Sequence, residues 1–305
     1  MYNPELFSRL SEKKVPVSTI QTSWLAEADV TLNMHRLDQL HPKISGNKWF
    51  KLRNHLQHAF DDGYSSILSF GGAWSNHIHA LAAAGKNIDF PTVGVIRGER
   101  AEVLSSTLQD AESWGMRLHF ISRADYRVKH NPEFLQQLLD DLRLSGSDVW
   151  IVPEGGSGEL GVKGCEYILS AGRVSPETYD QIWLASGTGT TAAGVIRSAP
   201  ETCVQSVAVL KGASWMKDEI QQYLSEEHKN WSVDTESHCG GYARTTPELL
   251  KFIEQFEQET EIPLEPVYTG KMMFSLYKKC VQGKIARGCR LLAIHTGGLQ
   301  GRRGF

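Results

Sequence analysis

The chain has no run of basic residues. Its 32 Lys and Arg stand against 35 Asp and Glu, a formal charge of −3. A nucleic-acid binder would carry a basic patch or stripe, so that class is set aside. No apolar stretch is long enough to cross a bilayer, and no membrane association is expected. Cysteine is sparse and odd in number. Cys165, Cys203, Cys239, Cys280 and Cys289 are scattered without a C-x-x-C pair, which argues against a disulfide framework or a thiolate zinc site and fits a reducing compartment. His77 and His79 are close in sequence, but two positions apart on a helix they do not share a face, so no metal is expected. The first residues, Met1-Tyr2-Asn3-Pro4-Glu5, lack the basic and apolar regions of a signal peptide, and a cytoplasmic location is expected. Repeats, low-complexity segments and an obvious linker are missing too.

What is present is alternation. Short apolar runs at Ser66–Phe70, Thr92–Ile96, Leu118–Ile121, Val149–Val152, Gln181–Ala185, Val204–Leu210 and Arg290–Ile294 read as strands. Helical patterns separate them: His77–Ala84 stopping at Gly85, Ser105–Trp114, Pro132–Leu144, Leu160–Leu169, Thr191–Arg197 and Lys271–Gln282. Repeated βα units predict mostly parallel, open-twisted sheets covered by helices. The Gly-rich stretch Pro153-Glu154-Gly155-Gly156-Ser157-Gly158 is the best candidate for a hinge. Two α/β domains are expected, a large one from residues 1–51 plus 157–305 and a small one from 52–156, with a ligand cleft between them. In such sheets ligands bind outside the carboxyl ends of strands, in loops that enter helices.

The loops at that address carry chemistry. Ser45-Gly46-Asn47-Lys48-Trp49-Phe50-Lys51-Leu52 puts a lysine at the mouth of a helix expected over Lys48–Phe60, with Asn47 as its N-cap. A cation is disfavoured at a helix N-terminus, and converting the amine to an imine removes the charge. Lys48 is therefore a candidate Schiff-base lysine and Lys51 a candidate phosphate contact; the alternative is two solvated lysines. Ser186-Gly187-Thr188-Gly189-Thr190-Thr191 offers backbone N–H groups and hydroxyls suited to a phosphate. It lacks the Lys-Ser/Thr ending of a nucleotide-triphosphate loop and the glycine spacing of a dinucleotide fingerprint. Gly71-Gly72-Ala73-Trp74-Ser75-Asn76-His77 allows a flat ligand to approach, with Ser75 and Asn76 at a helix start. Both are also ordinary caps. Tyr268 could stack on a ring and move a proton, and Thr296 could hydrogen-bond a neutral pyridine nitrogen. An imine lysine, a phosphate loop, an amide at a ring oxygen and a hydroxyl at a ring nitrogen together describe pyridoxal 5'-phosphate.

From about Leu32 to its end the chain resembles the tryptophan-synthase-β-like, or fold type II, pyridoxal-phosphate enzymes. It is most similar to the family of 1-aminocyclopropane-1-carboxylate deaminases and D-cysteine desulfhydrases. The resemblance rests on motif order: Ser45-Gly46-Asn47-Lys48-x-x-Lys51-Leu52, Gly71-Gly72-x-x-Ser75-Asn76-His77, Gly155-Gly156-Ser157, Ser186-Gly187-Thr188-Gly189-Thr190, Pro266-Val267-Tyr268-Thr269-Gly270-Lys271 and His295-Thr296-Gly297-Gly298. It implies Lys48 as the cofactor lysine and a catalytic group, with Ser75 and Tyr268 also catalytic. Lys51, the loop from Ser186 to Thr191, Asn76, Tyr268 and Thr296 would hold the cofactor. Trp74, Ser75, Asn76, His77 and Tyr242 would meet a small amino-acid substrate. A homodimer is implied as well. The deaminases carry glutamate after the second tyrosine, facing the pyridine nitrogen. Here Thr269 stands in its place, and Thr296 stands where the deaminases tend to have leucine; both choices resemble the desulfhydrases. Trp74 and the Ala243-Arg244 pair after Tyr242 depart from the family pattern. The expected activity is α,β-elimination on D-cysteine or a similar amino acid. Alternatives are the cyclopropane deaminase and a non-catalytic binder of a small phosphorylated ligand.

Overall fold

A computed structural model of the chain describes residues 13–44 and 46–305. Among the described residues ten strands form two sheets, and they are labelled in chain order. The larger sheet holds β1 (Val17–Ile20), β2 (Thr31–Arg36), β7 (Gln181–Ser186), β8 (Cys203–Ala208), β9 (Trp231–Asp234) and β10 (Arg290–His295), in the order β1-β2-β10-β7-β8-β9. The smaller holds β3 (Ser66–Gly71), β4 (Thr92–Arg97), β5 (Arg117–Ile121) and β6 (Val149–Val152), in the order β5-β4-β3-β6. Every pairing is parallel except β1 with β2, which run antiparallel. The architecture is the mixed α/β, mostly parallel arrangement expected from the alternation of strands and helices.

Strand order fixes where a ligand can sit. In the larger sheet the chain moves outward from β7 through β8 to β9, then returns to place β10 on the other side of β7. In the smaller sheet it moves from β3 through β4 to β5, then returns to place β6 beside β3. Each reversal opens a crevice at the carboxyl ends of the two central strands. The loops after β7, β10, β3 and β6 are the Ser186, Thr296, Gly72 and Glu154 loops. The fold thus brings four separate motifs to two facing crevices.

The helices Asn47–Asp61, Asn76–Ile88, Glu159–Cys165 and Thr190–Ser198 are packed in one apolar core that includes Leu52, Leu81, Val162 and Val195. A second core, with Trp183, Phe256, Met272 and Leu291, lies under the helices Pro247–Thr260 and Thr269–Val281. The helix Asn47–Asp61 runs unbroken through positions 51 and 52, so no linker separates those two residues. Three expectations change. The helix after β3 continues to Ile88 through Gly85, where a Cβ would lie 2.5 Å from the Thr92 methyl; this glycine permits close packing and does not end the helix. The single helix expected over Leu160–Leu169 is two, Glu159–Cys165 and Ile168–Ala171. A short helix, Arg123–Arg127, lies just beyond β5, where none was expected.

Candidate active site

The lysine helix begins against the end of β10. Gly46 has φ +71°, and a Cβ there would lie 1.8 Å from the Thr296 carbonyl oxygen. The Asn47 N–H donates to that oxygen at 3.1 Å. Ser45 lies outside the described residues. Asn47 is not the N-cap expected for it: Gly46 occupies that position, and Asn47 is the first helical residue. Its side chain is used laterally, donating to Thr191 Oγ1 at 2.8 Å and accepting from Lys48 Nζ at 2.9 Å. Lys48 and Lys51 both line a cleft of about 950 Å³. Burial pushes the Lys48 amine down to about 8. Burial, then repulsion from Lys48, pushes Lys51 down to about 7. At pH 7.5 an ordinary lysine is neutral about 0.1% of the time, whereas one at 8 is neutral about a quarter of the time. The geometry therefore supplies an amine able to act as a nucleophile.

The loop after β7 turns into the helix Thr190–Ser198 through Gly189, at φ +73°. Lys51 Nζ donates to Thr188 Oγ1 at 3.0 Å, joining the second lysine to this loop. Ser186, Gly187, Thr188, Gly189 and Thr191 line the cleft. Thr190 does not. Its hydroxyl is buried behind the loop, 3.2 Å from Thr188 Oγ1. A helix start, small residues, hydroxyls and a protonatable amine make a seat for a phosphate dianion.

Across the cleft, Ser75 caps the helix Asn76–Ile88, its Oγ accepting from the Ile78 N–H at 3.2 Å. Asn76 Oδ1 accepts from Gln300 Nε2 at 2.8 Å, so the Asn76 amide is oriented and its NH₂ stays available as a donor. Gln300 carried no motif in the sequence. His77 is buried, and burial followed by the two lysine charges holds its imidazole well below the usual range. Ser69 Oγ donates to the Val152 carbonyl at 2.8 Å and so must accept from His77 Nε2, also at 2.8 Å. That fixes the Nε2–H tautomer and leaves the buried Nδ1 as an unpartnered acceptor. Trp74 is 41% exposed, and its ring lies where a Cβ on Gly304 would approach to 3.2 Å. It forms part of the cleft wall against the turn Leu299–Gly304.

The remaining wall is aromatic. Tyr268 and Tyr242 meet edge to face, ring centroids 6.2 Å apart. Burial raises both phenols, so both are held neutral. Thr296 also lines the cleft, whereas Thr269 does not. This corrects the expectation that Thr269 faces a ligand. Thr269 opens the helix Thr269–Val281, and its hydroxyl donates to Glu265 Oε1 at 3.2 Å. Glu265, unremarked in the sequence, also accepts from the backbone N–H groups of Val267, Tyr268 and Thr269. Burial pushes its carboxyl up from the usual range, against the pull of those donors. Among the described residues no group of His, Cys, Asp and Glu could hold a metal ion, and no helix is long and apolar enough to cross a membrane.

No family model matches the chain. It is 28% identical over 282 residues to the bifunctional D-cysteine desulfhydrase/1-aminocyclopropane-1-carboxylate deaminase, mitochondrial, of Arabidopsis thaliana, covering 85% of this chain and 70% of that protein. It is 25% identical over 272 residues to a D-cysteine desulfhydrase of Yersinia enterocolitica, covering 84% and 82%. A solved structure described as an ACC deaminase homologue superposes with a TM-score of 0.80 at 22% identity, over 98% of this chain and 96% of that one. Over most of its length the chain is similar to 1-aminocyclopropane-1-carboxylate deaminases and D-cysteine desulfhydrases, and it is an enzyme. The donor set suits the family's cofactor. Lys48 is a part-neutral amine, the Thr188 loop with Lys51 can seat a phosphate, Asn76 keeps a free amide donor, and Thr296 presents a hydroxyl.

Proposed function

We propose that the protein is a pyridoxal-phosphate-dependent lyase acting by α,β-elimination on a small amino acid, with D-cysteine as the leading substrate and pyruvate, sulfide and ammonia as products. The observation that carries this reading is the placement of two lysines in one cleft, Lys48 at the helix entrance beside Asn47 and Lys51 tied to Thr188 Oγ1 of the loop suited to a phosphate. When bound, the cofactor supplies an electron sink for the carbanion formed at the substrate's α-carbon.

The chain's own residues do the rest. Lys48 Nζ would hold the cofactor and, when free, is the base placed to take the α-proton. Lys51, Ser186, Gly187, Thr188, Gly189 and Thr191 would hold the phosphate, with Thr190 bracing Thr188 from behind the loop. The Asn76 amide would donate to the ring oxygen. The helix start at Ser75 and Asn76 receives the substrate carboxylate, where the helix dipole favours an anion. Tyr268 and Tyr242 exclude water from one face, and the Tyr268 hydroxyl, held neutral, can pass a proton to the departing group. Thr296 offers the ring nitrogen a hydroxyl and no acid. That choice suits a substrate whose thiolate leaves easily and suits ring opening of a cyclopropane poorly. The cyclopropane deaminase is the second reading, favoured by the names of several relatives. The proposal includes a cytoplasmic homodimer built from units 1–51 with 157–305 and 52–156, testable by light scattering and limited proteolysis.

The deciding experiment supplies the purified protein with cofactor and assays D-cysteine, L-cysteine, β-chloro-D-alanine and the cyclopropane amino acid. Sulfide and pyruvate from D-cysteine with little 2-oxobutanoate is expected. Robust 2-oxobutanoate without sulfide would replace the first reading by the second. Borohydride reduction should place the cofactor mass on the peptide carrying Lys48, and Lys48→Ala should abolish turnover. Label on Lys51 or Lys43 would overturn the lysine assignment.

A further inference from the structure

The cleft holds more positive charge than the proposed reaction uses. Its lining includes Lys48, Lys51, Arg97, Arg123, Arg127 and Lys129, six cations against the single carboxylate of Glu154. The chain as a whole is slightly acidic, so this is a local concentration. Lys48 and Lys51 belong to the cofactor seat. Lys129 pairs with Glu154 at 3.3 Å, which also neutralises the one acid on that wall. Arg97, Arg123 and Arg127 have no carboxylate partner among the described residues.

These three arginines share one address. Arg97 ends β4, and the helix Arg123–Arg127 begins two residues after β5 ends. Spaced four apart, Arg123 and Arg127 fall on one helix face, with Tyr126 next to it. The Tyr126 ring collects the cluster: the Arg97 guanidinium lies 5.5 Å from its centroid and the Lys129 ammonium 4.7 Å. Tyr126 is 3% exposed and lines the cleft, and burial with the neighbouring Glu154 raises its phenol, so the hydroxyl stays neutral beside the guanidinium groups. Arg97 also overhangs the substrate loop, since a Cβ on Gly72 would lie 3.5 Å from its Nη2.

We propose that this wall of Arg97, Tyr126, Arg123 and Arg127 recognises a second anionic group on the substrate's side chain, so that the preferred substrates are small amino acids whose β-substituent is a sulfonate or phosphate ester. The inference rests on the lyase reading above and names its substrate class. It is compatible with D-cysteine, whose sulfur departs as an anion. For a sulfonate or phosphate the step is the same elimination. The Cα–H bond and the Cβ–X bond break, a carbon–carbon double bond forms, and X leaves with the bonding pair as sulfite or phosphate. Water then converts the unsaturated amine to pyruvate and ammonia. Guanidinium groups suit these oxyanions because they can bind two oxygens at once, and a cleft of one sign concentrates an oppositely charged substrate.

The test compares both enantiomers of cysteate, O-phosphoserine and aspartate with β-chloroalanine, whose leaving group is uncharged before departure. The enzyme is loaded with cofactor, and kcat and KM are measured separately. At least one of the three dianions should bind with a KM about tenfold or more below that of β-chloroalanine, with the advantage shrinking as salt is raised. Cysteate or phosphoserine would release pyruvate, while aspartate, which lacks a comparable leaving group, would act as a competitive inhibitor. Arg97→Gln should raise KM or Ki for the dianions and leave β-chloroalanine nearly unchanged; the exposed Arg123→Gln and Arg127→Gln should act in the same direction without threatening folding. Turnover of β-chloroalanine with no preference for any dianion would overturn this inference and leave the lyase reading standing. An equal loss on all substrates in Arg97→Gln would also overturn it, by assigning that arginine to the α-carboxylate. No pyruvate from any amino acid, with no cofactor label on Lys48, would remove the lyase reading itself and this inference with it.

Discussion

Lys51 shows how one residue can report on its ligand. In the cleft its amine is pushed down to about 7, by burial first and by Lys48 second. A bound dianion stabilises the charged form, so binding must raise this value and draw a proton from solution. The sign follows: below pH 7 the ammonium is already present, and above it each binding event must also protonate Lys51. Sulfate affinity of the cofactor-stripped protein should therefore fall as pH rises from about 6.5 to 8.5, by up to about tenfold per unit. Calorimetry in two buffers of different ionisation enthalpy should register the proton uptake, and Lys51→Met should abolish it. A pH-independent affinity would mean the sulfate sits elsewhere. The hydroxyl and glycine loops were legible in the sequence because a phosphate demands those residue types. Thr269 was not, because its direction depends on Glu265, four positions upstream, whose carboxylate gathers the first N–H groups of the helix. Gln300 was illegible for a related reason. Its side chain holds Asn76, 224 positions away in the sequence.

Between residue and whole molecule, the loop that carries Tyr242 is held by one helix, Thr269–Val281. Lys271, fully buried, donates from Nζ to the Gly241 carbonyl at 2.6 Å. Asp234, at the end of β9, takes Lys279 at 3.0 Å and the hydroxyls of Ser237 and Ser275 at 2.9 Å each. Burial alone would raise the Asp234 carboxyl, but Lys279, Ser237 and the Glu236 N–H outweigh it and bring it down to about 2. The folded value is thus depressed, so this network stabilises the protein above about pH 4, and the contribution is lost as pH falls through about 2. Asp234→Asn should cost about 1–2 kcal/mol in urea unfolding at pH 6, discounted for partial exposure, and the gap to wild type should close by pH 2–3. A gap of constant size would show that the loss is one of packing. Among elements, the long helix Pro247–Thr260 was readable, with Thr246 as its cap, proline at its first position and Leu249, Phe252, Ile253 and Phe256 on one face, although the alternation of strands passed over it. The five-residue helix Arg123–Arg127 is below the length at which periodicity carries a signal. That is why the arginine wall became visible only in three dimensions.

The two facing crevices exist only at the scale of the whole molecule. Strand alternation announces parallel sheets, but it does not say that β10 returns beside β7 or β6 beside β3; strand order is set by contacts far apart in the chain. The proposed cofactor would touch both crevices. Its phosphate seat follows β7, with Gly155 after β6 close by: a Cβ there would lie 3.3 Å from the Thr188 methyl. Asn76 follows β3, and the lysine helix is pinned to the end of β10 through Asn47 and Thr296. The turn Leu299–Gly304 crosses the same gap, pairing Gln300 with Asn76 and Arg303 with Asp110. A ligand gripping the ends of both sheets stabilises the folded chain by mass action, about 2.7 kcal/mol at a hundred times its Kd. For a chain of this size that corresponds to a rise in Tm on the order of 5 °C. Stripping the cofactor should lower Tm by about that much, and readdition should restore it. Gly189→Val, which forces a side chain into a left-handed turn beside Ile220, should keep the low Tm even with cofactor present. Sulfate should recover only part of the shift, because it can occupy the Thr188 seat but cannot reach Asn76 on the opposite sheet. Full recovery with sulfate would mean that the phosphate seat alone carries the stabilisation, and that the two sheets are held together without the ring.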